Sequence, residues 1–192
     1  LRCVRKGIEF VVIETSSHAL HQFRLWGIPF HTAVLTNITH EHLDYHGDME
    51  SYKNAKKSLF CHAENAVLNA SDSYYPEFSQ LPFAHRLSYG IGSGDLRAEN
   101  PQYSKHGSEF TLRYRHHAVP VTLKIPGAFN VENALAATGA ALQSGMKFGQ
   151  VVQHLSTFPG VPGRMERIHS PKGFEVIVDF GLTPDALQKL YD

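Results

Sequence analysis

Two short apolar runs, each followed at once by polar side chains, constrain the fold of this chain most. Phe10–Ile13 leads into the polar segment Glu14–His18, and Thr32–Thr36 leads into Asn37–His46. Continuous apolar runs of this length are typical of strands buried on both faces of a parallel sheet. The carboxyl ends of such strands meet at one edge, where open α/β sheets bind their ligands. We therefore predict an α/β domain with its functional site after these two strands.

The remaining hydrophobic pattern extends this sheet and adds helices. Further strands are predicted at Ala66–Leu68 and Leu87–Tyr89, while alternation from Leu96 to Ile125 predicts an antiparallel hairpin or small sheet. Spacing and composition predict helices at Ala19–Trp26, Met49–Phe60, Asn130–Ser144 and Lys147–Leu155. The sequence thus predicts a mostly parallel sheet flanked by helices, with a small antiparallel β subsheet.

A proline- and glycine-rich segment, Pro159–Gly163, predicts a linker between two domains. After it we predict only the strand Phe174–Phe180 and the helix Pro184–Tyr191, which together are too little to bury a core. We therefore expect one domain over residues 1–160 and the truncated start of a second over residues 161–192. Because the chain begins with Leu and runs almost at once into a predicted strand, we expect a fragment lacking its natural start.

Charge and cysteine content argue against several classes of protein. The 18 Lys+Arg balance the 18 Asp+Glu, which speaks against nucleic-acid binding by bulk positive charge. The apolar runs are far shorter than the ~20 residues that a membrane span needs. Cys3 and Cys61 are too few for a disulfide framework, which fits a reducing compartment. We expect a cytoplasmic protein that uses neither nucleic acid nor membrane as a partner, with a monomer favoured.

Two charged residues near the predicted strand ends could carry chemistry. Glu14 closes the first apolar run, where a carboxylate could hold Mg²⁺ or could merely cap the next helix. Lys56 could contact a phosphate or form a carbamate if its pKa were lowered. Its neighbours Lys53 and Lys57 favour a plainer interpretation, in which all three lysines lie on a solvated helix face.

Three polar residues in the second half of the chain are further candidates. Asn130 opens a predicted helix, where it could hold an anion or could serve only as an N-cap. Arg164 follows the linker and Asp179 ends the next predicted strand. An arginine at a domain seam suits a phosphate because its guanidinium is bidentate, although a surface salt bridge is the alternative.

The histidine-rich segment Asn37–His46 is similar to the H-x-H-x-D-H run of metallo-β-lactamase-type zinc hydrolases. The match fails by one residue, because Tyr45 is inserted between Asp44 and His46. The insertion changes the direction in which the His46 side chain points, and zinc coordination is sensitive to that direction. A zinc hydrolase remains an alternative, with the ligands His40, His42, Asp44 and His46. The chain contains no G-x-x-x-x-G-K-[ST] motif, so it has no P-loop to hold a triphosphate.

Six groups of residues, taken in order, resemble the Mur ligase family, and most closely its MurE branch. The resemblance covers nearly the whole chain, so the ordered series is more specific than any one motif. The matching segments are Glu14–Leu20, Thr36–Ile38 with His42–Gly47, Tyr52–Phe60, Pro126–Asn130 with Asn133–Ala137, Gly160–Glu166, and Val178–Asp179 with Thr183–Leu187.

This resemblance implies a Rossmann-like central ATPase domain, placed between a UDP-binding domain and an amino-acid-binding domain. It implies a peptidoglycan-synthesis ligase that activates a muramoyl-dipeptide carboxylate as an acyl phosphate and then joins the third amino acid. The implied partners are UDP-N-acetylmuramoyl-dipeptide, ATP and a free amino acid. The implied cofactors are ATP and Mg²⁺, with two magnesium sites.

The resemblance also assigns roles to individual residues. The expected catalytic and metal-binding residues are Glu14, His42 and Lys56, the lysine being carbamylated to help position the second Mg²⁺. The expected contacts to the UDP-muramoyl-dipeptide are Ser16, Gln22 and Arg24. The expected nucleotide contacts are Asn130, Arg164 and Asp179.

The chain departs from the family pattern in several places. Leu182 stands where the family's D-Y-A-H-T-P-D motif has His, and Glu41 stands where Asp is usual before His42. The P-loop, the UDP-binding domain and most of the amino-acid domain lie outside the chain, so we expect this fragment alone to be inactive. These departures keep open a non-catalytic binding module that retains the muramoyl-dipeptide contacts without turnover.

Overall fold

The computed structural model describes residues 2–191, and the fold is built around one large sheet. The strands are β1 (Phe30–Leu35), β2 (Ala63–Asn69), β3 (His85–Ile91), β4 (Leu96–Ser104), β5 (Gly107–Tyr114), β6 (His117–Leu123), β7 (Glu166–His169) and β8 (Glu175–Val178). The helices are α1 (Arg2–Arg5), α2 (Ser17–His21), α3 (Leu43–His46), α4 (Met49–Cys61), α5 (Tyr75–Phe78), α6 (Ala128–Gln143), α7 (Phe148–Thr157) and α8 (Pro184–Tyr191).

The large sheet contains six strands, β1 to β6, in the order in which they follow along the chain. Strands β1 to β4 are paired in parallel, and β5 and β6 continue the sheet in antiparallel pairing. This arrangement confirms the predicted parallel sheet with an antiparallel extension. It also sets the carboxyl ends of β1, β2 and β3 along one edge.

Alternate residues of β2 face two different apolar clusters, so the strand is covered on both sides. Val67 packs with residues of α6, including Leu135, whereas Ala66 and Leu68 pack with Phe60 of α4. All three β2 side chains are completely buried. This burial explains why the strand is apolar throughout instead of alternating with polar residues.

Helix α6 crosses β1 to β4 and approaches the sheet closely at Gly139. A Cβ atom at this position would lie 2.6 Å from Cγ1 of Val67 and 3.1 Å from Cδ2 of Leu87. Gly139 therefore permits a helix-to-sheet distance that any larger residue would widen. Because Asn130 lies in the first turn of the same helix, this contact also fixes the position of a candidate site residue.

Helix α4 matches its predicted position and begins at Asp48, whose carboxylate accepts a 2.7 Å hydrogen bond from the Ser51 amide. The predicted solvated lysine face is wrong for Lys53, which is 6% exposed. Its Nζ lies 2.7 Å from Glu50 and 2.8 Å from Glu77, so two carboxylates compensate its burial. The sequence spacing could not reveal this, because Glu77 comes from the distant helix α5.

Phe10–Ile13 is not a strand, which corrects the first prediction above. The segment has no regular secondary structure and no sheet pairing, Phe10 is 68% exposed and Val12 is fully exposed. An extended segment becomes a strand only when a neighbour satisfies its backbone N–H and C=O groups. Within residues 2–191 this segment meets no such neighbour, so its apolar sequence alone cannot make it a strand.

The helix predicted at Ala19–Trp26 is shorter, since α2 ends at His21 and Gln22 is its C-cap. Phe23 adopts a φ of 53°, a left-handed conformation that a right-handed helix cannot continue through. The chain then turns, and it reaches β1 at Phe30.

After the proline- and glycine-rich segment, β7 and β8 form a separate antiparallel pair, followed by α8. The strand and the helix predicted in this region are confirmed, although β7 was not predicted. The division into domains at residues 160 and 161 stays a prediction. Among residues 2–191, no helix combines the length and the apolar character needed to cross a membrane.

We predict that Gly139→Ala lowers the free energy of unfolding by about 1–3 kcal/mol, because the new methyl group must displace Val67 or lift α6. Gly149→Ala is the matched control, since nothing lies within 4 Å of a Cβ there. That second variant should be neutral or up to about 1 kcal/mol more stable, because alanine favours the helix. Urea unfolding measures both values, and equal stabilities would contradict the close contact.

Candidate functional site

A cavity of about 910 Å³ lies between the loop after β1, one side of α6 and the segment that leads into α8. Its wall includes Thr36, Asn37 and Thr39 from the loop. Four of the predicted site residues also line it: Glu14, Asn130, Arg164 and Asp179. The structure thus brings together residues that are far apart in sequence, at the sheet edge where the sequence places the site.

Asn130 is buried in the first turn of α6, and its Nδ2 donates a 2.7 Å hydrogen bond to the Pro126 carbonyl. It is not the N-cap, because that position belongs to Gly127, which has a φ of 95°. The simple N-cap interpretation is therefore wrong. The amide instead ties the start of the helix to the chain before it, on the cavity wall.

Arg164 and Asp179 reach the cavity through the two turns that flank β7 and β8. The carboxylate of Asp179 accepts a 2.8 Å hydrogen bond from the amide of Met165, which fixes the residue next to Arg164. The guanidinium of Arg164 lies 5.4 Å from the ring centroid of Phe180. An arginine held on an aromatic face in a cavity wall is suited to bind an anionic group.

Lys56 lies on α4 among carboxylates that come from three different segments. Burial lowers the pKa of Lys56, and the negative charges of Glu41, Asp72 and Glu14 oppose this shift. Its Nζ also lies 5.2 Å from the ring centroid of Tyr52. Lys56 and Glu14 are therefore within electrostatic reach of each other, as two members of one site must be.

His42 lies beside Glu41, with 3.8 Å between its Nε2 and the Glu41 carboxylate. Its ring centroid is 4.7 Å from that of His18 and 6.3 Å from that of Tyr52. Glu41 lines the cavity, lies next to His42 and acts electrostatically on Lys56. His42 itself belongs to a group of aromatic rings next to the cavity.

The ring group also contains His46, whose Nε2 lies 2.9 Å from Oγ of Ser17. Burial lowers the pKa of His46, and the neighbouring His18, His21 and His42 lower it further. This imidazole therefore favours its neutral form. No sequence pattern singles out Ser17, because the pairing joins two residues that are 29 positions apart.

The three residues expected to hold the UDP-muramoyl-dipeptide flank α2, as its N-cap Ser16, its C-cap Gln22 and Arg24 in the turn that follows. Oγ of Ser16 accepts a 3.2 Å hydrogen bond from the Ala19 amide and caps the helix. Nε2 of Gln22 donates a 3.1 Å hydrogen bond to the Tyr45 hydroxyl, while Arg24 is exposed. They lie on the side of the ring group, and their substrate-binding role stays a prediction.

The zinc-hydrolase alternative is contradicted by the arrangement of the histidine-rich segment. Throughout residues 2–191, no group of three or more His, Cys, Asp or Glu side chains is arranged to hold one metal ion. His40 and Asp44 are exposed, and His46 is engaged with Ser17. The inserted Tyr45 lies within the short helix α3, which turns neighbouring side chains to different sides.

The donor chemistry near Lys56 nevertheless fits Mg²⁺. Magnesium prefers oxygen ligands, keeps several waters and commonly binds through one or two carboxylates together with phosphate oxygens. The carboxylates of Glu14 and Glu41 line the cavity, and both act electrostatically on Lys56. A magnesium site here needs no ready-made cage of protein ligands.

Two residues near the site were missed as candidates. The pKa of Tyr52 is raised to about 12 by burial and by the nearby carboxylate of Glu41. Glu41 had been noted only as a departure from a motif. Tyr52 is buried in α4, so it is both a core residue and a neighbour of the site.

An open α/β sheet with a cavity at the carboxyl ends of its parallel strands is typical of enzymes that bind nucleotides and similar ligands. Comparison with known proteins identifies the class more closely. The chain belongs to the Mur ligase family, because the model of the Mur ligase middle domain matches residues 1–141.

Curated relatives are similar over almost the entire chain. A UDP-N-acetylmuramoyl-L-alanyl-D-glutamate–2,6-diaminopimelate ligase of Geobacillus thermodenitrificans is 40% identical over 195 residues, covering 96% of this chain. The ligase of the same name from Lactiplantibacillus plantarum is 41% identical over 192 residues, covering 94%. The chain spans about 40% of the length of the first relative and 39% of the second.

Solved structures agree with this relationship. A structure of a UDP-N-acetylmuramoyl-L-alanyl-D-glutamate–2,6-diaminopimelate ligase matches 97% of this chain and 41% of its own, with 33% identity and a TM-score of 0.81. MurF ligase from Thermotoga maritima, solved in complex with ADP, matches 92% of this chain and 41% of its own, with 21% identity and a TM-score of 0.72. The second comparison supports the fold alone.

We predict that methionine substitutions at Lys53 and Lys56, on the same helix, change stability in opposite directions. Lys56→Met should be more stable at pH 7, because it removes a charge whose burial lowers the lysine pKa. Lys53→Met should be less stable, because the hydrogen bonds that Lys53 donates to Glu50 and Glu77 raise its pKa and would be lost.

The advantage of Lys56→Met should shrink as the pH rises from 7 toward the ordinary lysine pKa of about 10.4. In that range the unfolded chain holds its proton on Lys56 more firmly than the folded chain, so the parent gains stability with pH. Urea unfolding at several pH values measures this difference. A constant difference would show that Lys56 has no lowered pKa.

Proposed function

We propose that this chain is the central part of an ATP-dependent ligase that joins the third amino acid to UDP-N-acetylmuramoyl-dipeptide in peptidoglycan synthesis. The observation that supports it most is the shared cavity, which is lined by Glu14, Asn130, Arg164 and Asp179. The names of the curated relatives further suggest 2,6-diaminopimelate as the added amino acid. The bacterial cytoplasm is the proposed location.

In this proposal the cavity binds ATP and holds it against the dipeptide carboxylate. Arg164 contacts phosphate oxygens, and Asn130 contacts the nucleotide from the first turn of α6. Asp179 contacts the nucleotide as well, and its hydrogen bond to the Met165 amide keeps the adjacent Arg164 in place. Ser16, Gln22 and Arg24 bind the UDP-muramoyl-dipeptide on the side of α2.

The reaction proceeds in two balanced steps. A carboxylate oxygen of the dipeptide attacks the γ-phosphorus of ATP, the bond to the bridging oxygen breaks, and ADP leaves. The amine of the third amino acid then attacks the acyl carbon, inorganic phosphate leaves, and the nitrogen loses a proton. Both steps concentrate negative charge, so positioning and electrostatic stabilisation are the main contributions of the protein.

Glu14, His42 and Lys56 are the residues proposed to hold two Mg²⁺ ions. When bound, Mg²⁺ neutralises charge on the phosphates as the carboxylate oxygen approaches. Lys56 contributes as a carbamate: its neutral amine attacks CO₂, an N–C bond forms, and the nitrogen releases one proton. The lowered pKa of Lys56 favours the neutral amine that this step requires.

Carbamate formation at Lys56 also has an electrostatic cost. Glu14, Glu41 and Asp72 stabilise the ammonium form, and the same carboxylates would repel an anionic carbamate. Divalent cations among these groups would reverse the balance. The carbamate is therefore proposed only together with Mg²⁺.

The assay that tests the proposal uses the complete protein that contains this chain. We expect amide product and ADP to form only when Mg²⁺, ATP, the nucleotide-sugar dipeptide and diaminopimelate are all present, and lysine to be a poor substitute. A complete protein that forms no product would contradict the proposed function. ATP hydrolysis by residues 1–192 alone, at an enzyme-like rate, would also contradict it.

A second candidate is a binding module without turnover, because Leu182 lines the cavity where the family motif has His. Such a protein would bind the nucleotide-sugar dipeptide in calorimetry yet form no product with all substrates present. The variant Leu182→His, which restores the imidazole of the family motif, distinguishes the ligase from the binding module. A large gain in the rate of amide formation would indicate that the parent protein is a binding module that has lost its turnover.

We predict that Lys56→Ala in the complete protein lowers the rate of amide formation by at least about 100-fold. Added bicarbonate should not restore the rate, because the variant has no amine that can form a carbamate. Lys57→Ala is the matched control on the same helix, where the lysine pairs with Glu77. It should retain the parent rate, and a normal rate for Lys56→Ala would exclude Lys56 from the site.

A further inference from the structure

Three side chains from β2, β3 and the turn after β2 hold the loop that leaves β1 toward the cavity. The hydroxyl of Tyr89 donates a 3.0 Å hydrogen bond to the Leu35 carbonyl, and Nδ2 of Asn69 donates a 2.8 Å bond to the Thr36 carbonyl. The Ile38 amide in turn donates a 2.8 Å bond to Oδ2 of Asp72. The loop is thus attached at three points between Leu35 and Ile38.

Asn69 and Asp72 each use their second polar atom to close a local turn. Oδ1 of Asn69 accepts a 2.9 Å bond from the Ser71 amide, and Oδ1 of Asp72 accepts a 2.9 Å bond from the Tyr74 amide. The turn after β2 is therefore rigid where it meets the loop. Because Asn69 and Ile38 are 4% and 5% exposed, water cannot readily replace these hydrogen bonds.

We propose that Asn69 and Asp72 are positioning residues of the ligase, acting through the loop that they hold. Their hydrogen bonds fix residues 36–39, and this segment presents Thr36 and Thr39 to the cavity. The same segment leads toward Glu41, which lines the cavity and acts electrostatically on Lys56. This inference rests on the ligase function proposed above, and neither side chain needs to contact the substrates.

A shift of the loop would change the reaction site directly, because the loop forms part of the cavity wall. A shift of about 1 Å in groups that orient reactants can lower a rate by about 100-fold, even when the change lies outside the reacting centre. Other parts of the wall, such as Asn130 and Arg164, belong to different elements and would stay in place. Loss of the loop contacts should therefore affect turnover more than nucleotide binding.

The variants Asn69→Ser and Asp72→Ser separate the loop contact from the local turn. A serine hydroxyl can still accept from the amide two residues later, as it does in many turns. It is too short to reach the Thr36 carbonyl or the Ile38 amide. Each variant therefore removes the hydrogen bond to the loop and keeps the turn in which the residue lies. Asp72→Ser also removes a negative charge near Lys56, and Asp72→Asn, which removes the same charge, controls for that effect.

Asp95→Ser is the matched control. The Asp95 carboxylate accepts 2.9 Å and 2.6 Å hydrogen bonds from the amide and the hydroxyl of Ser88, so it too fixes a loop through two bonds. That loop joins β3 to β4, and Gly92–Asp95 are not among the residues that line the cavity. Asp95→Ser therefore reports the general cost of losing such a carboxylate.

The experiment measures kcat, KM for ATP, melting temperature and amide hydrogen exchange in the complete protein. In both test variants we expect kcat to fall about tenfold or more and KM for ATP to change less than about threefold. Amides of residues 36–39 should exchange faster, and the melting temperature should shift no more than in Asp95→Ser. Asp72→Asn keeps one oxygen that can accept from the Ile38 amide, but its Nδ2 then faces the Tyr74 amide, so it should recover only part of kcat.

Each alternative outcome overturns the inference in a recognisable way. Unchanged exchange at residues 36–39 would show that Asn69 and Asp72 do not hold the loop. Faster exchange with an unchanged kcat, or an equal loss of kcat in Asp95→Ser, would show that the loop contacts have no specific role. If the unsubstituted complete protein forms no amide, the ligase function itself fails, and exchange still reports separately whether the loop is held.

Discussion

The parallel pairing of β1, β2 and β3 is the constraint on which the rest of the structure depends. Pairing such as Val34 with Val67 and Val67 with Leu87 places three strand ends at one edge. Both faces of these strands must be covered, so α6 packs on one side and α4 on the other. Polar groups can then gather only beyond the strand ends, and the cavity lies there.

In helix α4, a lysine that stabilises the fold and a lysine proposed to take part in the reaction lie on adjacent turns. Lys53 is buried but compensated by Glu50 and Glu77, so it helps join α4 to α5. One turn later Lys56 has no comparably close ion pair within the described residues, and burial lowers its pKa. A lysine in this second state is poorly suited to stabilise a fold and well suited to react, which agrees with the role proposed for it.

The sequence predicted most of the sheet and the longer helices because their apolar periodicity follows directly from burial. It also predicted polar residues beyond the end of β1, and the loop there lines the cavity together with Glu14, Asn130, Arg164 and Asp179. It failed at Phe10–Ile13, since pairing depends on a neighbouring strand that local composition cannot reveal. It missed the hydrogen bonds that Asn69 and Asp72 make to the loop, because they connect positions more than 30 residues apart.

The close contact between Gly139 and Val67 constrains which substitutions can occur at these two positions during evolution. A larger residue at position 139 of α6 is sterically disfavoured while position 67 is a valine with both of its methyl groups. Valine at position 67 of β2 must therefore be replaced by a smaller residue first. This replacement would leave a cavity until a larger residue at position 139 filled it. Related sequences should therefore vary at these positions in pairs, with the combined volume nearly constant.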